Sequence, residues 1–178
     1  MKLHLGCGKR YIPGFVHIDL DTYPHIDYQR DARDLSVFAD GTIELIYASH
    51  LFEYFDVVER LDVLYEWLRV LRPAGILRLA VPDFEAMVEV YLKYGDLGLI
   101  HGPLYGHWPN GERHCAVYDF ATLRAVLRSA GFQHVHRYDW RETIHRDYDD
   151  YSQAYIPHMD KEHGILISLN VEAEKAGA

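Results

Sequence analysis

The N-terminal run Lys2-Leu3-His4-Leu5-Gly6-Cys7-Gly8, followed by Phe15-Val16-His17-Ile18-Asp19, limits what this chain can fold into more than any other stretch. Its first part predicts a short buried strand that breaks into a glycine turn. Its second part predicts another strand, ending on a carboxylate. Glycine has no Cβ, so backbone at Gly6 and Gly8 can approach a ligand closely. An acid at the end of the next strand can accept hydrogen bonds from both hydroxyls of a ribose.

The spacing says more than the glycines. A dinucleotide-binding fold needs its glycine turn to open a helix whose N-terminus holds a pyrophosphate. Here only Lys9 to Gly14 separates the turn from the next strand, and Pro13-Gly14 breaks even that. The segment has glycines and a ribose acid but little helix dipole for a phosphate. That suits a phosphate-free adenosine ligand such as S-adenosylmethionine. Taken alone, the glycine pair would equally mark a tight turn in any α/β protein.

At 178 residues, 49% of them hydrophobic, the chain is long enough and apolar enough for one globular domain with a single core. A net charge of −9 argues against DNA or RNA as partner. Cys7 and Cys115 make no disulfide framework and read as reduced thiols, which with strand-like sequence from residue 2 points to the cytoplasm. No apolar run reaches the length of a membrane span.

Further along, Asp27 to Arg30 predicts a short edge strand leading to Asp31-Ala32, and residues 43–48 a strand ending at Ser49-His50. Asp56-Val57-Val58-Glu59 has the form of a capping box. The helix it opens places Val57, Leu61, Leu64, Leu68 and Leu71 on one face and is expected to stop at Pro73 and Gly75. Residues 76–81 read as a buried parallel strand ending at Pro82-Asp83. Phe84, Met87, Val88, Tyr91 and Leu92 mark a second helix, closed near Gly95. Residues 95–118, rich in glycine and histidine, predict a long loop. Asp119 caps a third helix that stops at Gly131, and strands follow over 132–140 and 165–171, joined through a polar stretch at 141–163. This order predicts a mostly parallel sheet with helices on its faces and a final antiparallel strand.

Read in this order, "LHLGCG", "VHIDLD", "DARDL", "DGTIELIYASHLFEYF", "EWLRVLRPAGILRLAVPD" and "LRAVLRSAGFQHV" resemble a class I S-adenosylmethionine-dependent methyltransferase from Lys2 to about Glu172. The resemblance implies a Rossmann-like, seven-stranded, mostly parallel sheet with its last strand antiparallel, and here the first crossover helix reduced or absent. It implies one methyltransferase domain over 1–178, with 95–118 and 141–163 as substrate-side loops. By position it puts the methionine end of the cofactor at Gly6, Cys7 and Gly8, the ribose at Asp19, the adenine at Asp31 and Ala32, and the reactive sulfonium near Ser49 and His50. Three departures stand out: His4 where an acid is usual, Arg10 in place of a third glycine, and the missing helix. They resemble short bacterial methyltransferase-like proteins of surface-sugar and small-molecule pathways.

Methyl transfer needs the acceptor held in line and water excluded, with a general base where the acceptor is a hydroxyl. The candidates for that chemistry are His50, Asp83, at the carboxyl edge of the sheet, and His107 and His114, in the glycine-rich loop with Trp108. Asp83 also has the form of a plain helix cap. His107, His114 and Cys115 lack metal-ligand spacing, so no metal is expected. His158, His163, Tyr148, Tyr151 and Tyr155 read as a second cover over the site or as the contact of a homodimer. The expected activity is methylation of a small molecule, a sugar or other metabolite. The alternatives are a non-catalytic module that binds S-adenosylmethionine, and a nicotinamide-dependent oxidoreductase, which the absent phosphate-binding helix disfavours.

Overall fold

A computed structural model describes residues 1–106 and 113–177; His107, Trp108, Pro109 and Gly111 lie outside the described residues. Seven strands form one sheet in the order β3-β2-β1-β4-β5-β9-β6. The strands β1 (Lys2–Leu5), β2 (Val16–Asp19), β3 (Tyr28–Gln29), β4 (Ile43–Ser49) and β5 (Leu71–Pro82) are parallel, with β3 at one edge. Strand β9 (Ser168–Lys175) runs antiparallel to both β5 and β6 (Phe132–Arg137), as expected of strands joined without a helix. Two-residue strands β7 (Tyr155–Ile156) and β8 (Ile165–Leu166) make a separate hairpin. The expected strand at 165–171 is therefore two elements, split at Ile167, and the strand expected to reach Trp140 stops at Arg137.

One face of the sheet carries the main core. Leu3, Leu5, Ile18, Ile46, Leu77, Leu79 and Val171 pack there against Leu64, Trp67, Leu123 and Leu127 of helices α1 (Arg60–Val70) and α4 (Phe120–Ser129). Asp56 and Glu59 do make the reciprocal capping bonds, Glu59 N–H to Asp56 and Asp56 N–H to Glu59. The expected helical face is nevertheless corrected at both ends. Val57 is 66% exposed, because regular helix starts only at Arg60. Leu71 is buried, but as the first residue of β5. Helix α1 ends at Val70, where the Lys175 ammonium donates to the carbonyls of Leu68 and Leu71 at 2.8 and 2.6 Å. Arg72 to Gly75 is then an insertion in β5 between its pairings with Ile43 and Leu45. A Cβ on Gly75 would sit 2.8 Å from the Arg72 carbonyl oxygen, so only glycine fits.

The opposite face departs from the expected helical cover. No helix follows β1. Instead the loop at 9–14 is pinned when the Ile12 N–H donates to His17 Nε2 at 2.9 Å, and Ile12 and Phe15 pack on Leu45 and Tyr47. Over them lies the 139–154 segment, expected to be a polar connection. Trp140, Thr143, His145, Asp150, Ser152 and Gln153 are all buried. The Tyr47 hydroxyl donates to the Asp150 carboxylate, and the His145 ring lies 4.1 Å from the Tyr47 ring. The stretch reads as polar because its partners on the sheet include Tyr47 and His4 rather than aliphatic side chains alone.

The glycine-rich loop is corrected too. Residues Gly98–Tyr105 form helix α3, packed on helix α2 (Phe84–Tyr94) through Met87, Val90 and Ile100. Of the residues read as the α2 face, Met87 is buried, whereas Phe84, Val88, Tyr91 and Leu92 are exposed.

Candidate active site

The carboxyl ends of β1, β2 and β4 converge on one cavity of about 470 Å³. Its wall includes Gly6, Gly8, Asp19, Ala32, His50 and Tyr54. Gly6 and Gly8 have φ of +59° and +51°, the left-handed region, so both turn positions require glycine. At Gly6 a Cβ would also meet the Leu51 side chain at 2.9 Å, whereas at Gly8 it would meet nothing within 4 Å and would project into open space.

Asp19 ends β2 with its carboxylate on the cavity. One oxygen accepts from the Gly8 N–H at 2.7 Å, the other from the Asp21 N–H at 2.9 Å. Each oxygen retains further acceptor capacity, and Asp19 lines the cavity. A ligand with a vicinal diol fits that acceptor set, and the cavity volume falls within the range of roughly 300–1,000 Å³ typical of small-molecule sites. Nothing in the 9–14 loop supplies a helix N-terminus for a phosphate.

Other expected site residues sit elsewhere. Cys7 is buried behind the turn, and burial and the nearby Asp19 push its thiol up to about 12. Asp31 and Ser49 do not line the cavity: the Asp31 carboxylate accepts from the backbone and guanidinium of Arg33, and the Ser49 hydroxyl is buried with no hydrogen-bond partner among the described residues. Ala32 does line it, and its carbonyl accepts from the Trp67 indole at 2.8 Å. Asp83 is spent on structure. One oxygen caps α2 at the Glu85 N–H, and the other pairs with Arg137 at 2.8 Å. His107 lies outside the described residues.

His50 begins the turn after β4 at φ +51°, a strained value for a non-glycine residue. Its Nε2 lies 3.3 Å from the Ser168 hydroxyl and its Nδ1 lies 3.4 Å from Glu53. Burial pulls the His50 imidazole down to about 3 and pushes the Glu53 carboxyl up to about 8. Burial, which disfavours charge on either group, is the largest cause of both shifts, and nearby His114 lowers His50 further. His114 completes the group, with Nε2 at 3.9 Å from Glu53 and Nδ1 at 2.9 Å from the Pro103 carbonyl.

Sequence reasoning missed Glu53 and much of the cavity wall: Leu51, Tyr54, Phe55, Arg30, Arg33 and Arg113. The signal available was the run Leu51-Phe52-Glu53-Tyr54-Phe55 directly after His50, an acid set in an apolar stretch. Such an acid is buried or it breaks the stretch.

A family model described as a methyltransferase domain matches residues 13–79, which run from the 9–14 loop through Asp19 and His50 into β5. Solved structures share the fold. A methyltransferase from Methanosarcina mazei, described as S-adenosylmethionine-dependent, is 16% identical with TM-score 0.59, over 99% of this chain and 92% of that one. One from Archaeoglobus fulgidus, described likewise, is 14% identical with TM-score 0.59, over 98% and 85%. The chain has the fold of these S-adenosylmethionine-dependent methyltransferases, and residues 13–79 of it match the methyltransferase-domain model. A third similar structure is the 1,6-didemethyltoxoflavin-N1-methyltransferase of Burkholderia thailandensis, solved with 1,6-didemethyltoxoflavin and S-adenosylhomocysteine. It is 12% identical with TM-score 0.59, over 98% of this chain and 70% of that one. No curated protein matches the sequence. Among the described residues no helix is long and apolar enough to cross a membrane, and no group of side chains could hold a metal ion.

Proposed function

We propose that the chain transfers the methyl group of S-adenosylmethionine to a small-molecule acceptor. The observation that carries this reading is the Asp19 carboxylate on the cavity wall beside Gly6 and Gly8, with no phosphate-binding helix between the strands. In this reading Asp19 holds the ribose hydroxyls and the Gly6–Gly8 backbone admits the methionine end. Leu51, Phe55 and Ala32 flank the adenine; Asp31 acts through Arg33. Bound there, the cofactor supplies a methyl group already activated by its sulfonium. The chain's part is to align the acceptor and keep water out, which is where most of the acceleration in a displacement of this kind arises. On the cavity wall His50 supplies a polar group, held from behind by Glu53, which His114 also faces. The small-molecule acceptor is favoured by a cavity of metabolite size and by the acidic net charge; the Burkholderia structure with a bound heterocycle is a parallel.

One observation favours the non-catalytic alternative. Both ring nitrogens of His50 face protein groups rather than the cavity. Incubation with S-adenosylmethionine labelled in its methyl group and a panel of hydroxyl and amine metabolites separates the two readings. Label transferred to an acceptor supports the enzyme. Tight cofactor binding with label that never leaves supports the module.

A further inference from the structure

A glycine turn that opens a helix is anchored by that helix, whose first bond would run here from the Ile12 N–H back to the Gly8 carbonyl. In this chain the bond is absent, and both of its ends go to histidines instead. The Ile12 N–H donates to His17 Nε2 at 2.9 Å, and the Gly8 carbonyl accepts from His25 Nε2 at 3.1 Å. Each partner fixes where the ring hydrogen sits. His17 presents a bare Nε2, so its hydrogen is on Nδ1, 3.5 Å from the Asp27 carboxylate. His25 carries hydrogen on Nε2, because a carbonyl can only accept.

The two histidines are themselves held in place. Asp27 accepts from the His17 backbone N–H at 2.8 Å, and the Asp27 N–H donates to the His17 carbonyl at 3.0 Å. The His17 and His25 rings meet edge to face with centroids 5.4 Å apart, Tyr11 stacks on His17, and Tyr23 stacks on His25. Gly8 has no side chain to hold it by packing, and a Cβ there would touch nothing within 4 Å. Its place depends on two bonds from opposite sides, its N–H to Asp19 at 2.7 Å and its carbonyl from His25. Gly8 lines the cavity; neither histidine does.

We infer that His17 and His25 stand in for the first turn of the missing helix and hold Gly8 where the methionine end of the cofactor enters. Both are positioning residues that act through the turn. The inference rests on the cofactor reading above. Without the His25 donor, Gly8 regains the wide backbone freedom of glycine, and a ligand that reaches the turn must order it again on binding. A ligand that stops short of the turn escapes that cost.

Two ligands separate positioning from general stability. S-adenosylhomocysteine carries the amino-acid chain; methylthioadenosine shares its adenosine and thioether but lacks that chain. Calorimetry on the full chain compares them. In His25→Phe the ring can still pack on Tyr23 and His17 but cannot donate to Gly8. S-adenosylhomocysteine affinity should fall about five- to tenfold, while methylthioadenosine affinity stays within about twofold. His25→Gln, whose amide N–H reaches as far as Nε2, should restore most of the loss. Asp19→Ala, by contrast, should weaken both ligands. Equal weakening of both ligands in His25→Phe, or weakening of neither, overturns the inference. Should His25→Phe not fold, the unaltered protein decides. Nitrogen-edited NMR should find hydrogen on Nδ1 of His17 and on Nε2 of His25, and the latter should exchange with solvent more slowly with S-adenosylhomocysteine bound than with methylthioadenosine. Hydrogen on His17 Nε2, or equal exchange with both ligands, overturns the inference. Binding of neither ligand by the unaltered protein overturns the cofactor reading and the inference with it, an outcome seen before any substitution is made.

Discussion

The Asp19 carboxylate accepts the Gly8 N–H at 2.7 Å, so the acid at the end of β2 and the turn after β1 are one unit. That bond braces the turn and leaves acceptor capacity on a carboxylate that lines the cavity. Replacing Asp19 by Ala removes both the turn's brace and the ribose acceptor. We expect S-adenosylhomocysteine affinity to fall by about 1.5–3 kcal/mol, the range for hydrogen bonds to a charged group. Asp19→Asn, which retains an acceptor oxygen, should lose less. Titration calorimetry on the three proteins reads both values.

Gly6 is constrained twice, by φ of +59° and by Leu51 at 2.9 Å from a Cβ position. Gly6→Ala should destabilise the fold by about 1–3 kcal/mol. Adding Leu51→Ala should recover the steric part only, so the double variant is more stable than the two single losses added together. Thermal melts of all four proteins check the non-additivity.

The helix-free face carries His4 and His145 buried and neutral. Burial pulls His145 down to about 4 and His4 well below its ordinary value, and neither His145 nitrogen has a hydrogen-bond partner among the described residues. In the unfolded chain these rings titrate near 6.5, so between that pH and about 4 the unfolded state binds more protons than the folded one. Stability is therefore full above the unfolded pKa and lost as pH falls through this window. His145→Phe should flatten the acid limb of a stability profile measured from pH 8 to 4, with little change in slope above pH 7. An unchanged acid limb would count against the role given to this ring.

How much of this was legible in the sequence depends on which partner each residue found. Strands, the three longer helices and the antiparallel β9 could be read, because period and turn signals reflect contacts within one element. Asp19 could be read for the same reason, since its position at a strand end needs only the strand. Helix α3 could not: Gly98, Gly102 and Pro103 oppose helix by propensity, and packing of Ile100 on Met87 and Val90 overrides them. Glu53 and the cover at 139–154 escaped because their partners lie far along the chain. Tyr47 meets Asp150 and His50 meets Ser168, pairings that no local pattern encodes.

That cover makes its own prediction. The Tyr47 hydroxyl and Asp150 are both buried, and burial raises the Asp150 carboxyl. Tyr47→Phe leaves the acid without its donor from the sheet and should destabilise the protein by about 1–3 kcal/mol. Tyr47→Phe with Asp150→Ala should be less damaging than the two single losses combined. Denaturant unfolding of the set measures the coupling.

The central claim is that the cavity at the ends of β1 and β2 seats a phosphate-free adenosyl group. Calorimetric titration of the unaltered protein with S-adenosylhomocysteine and, separately, with NAD tests it most directly. The account predicts saturable binding of S-adenosylhomocysteine, weakened in Asp19→Ala, and none of NAD. Binding of NAD with no binding of S-adenosylhomocysteine would contradict it.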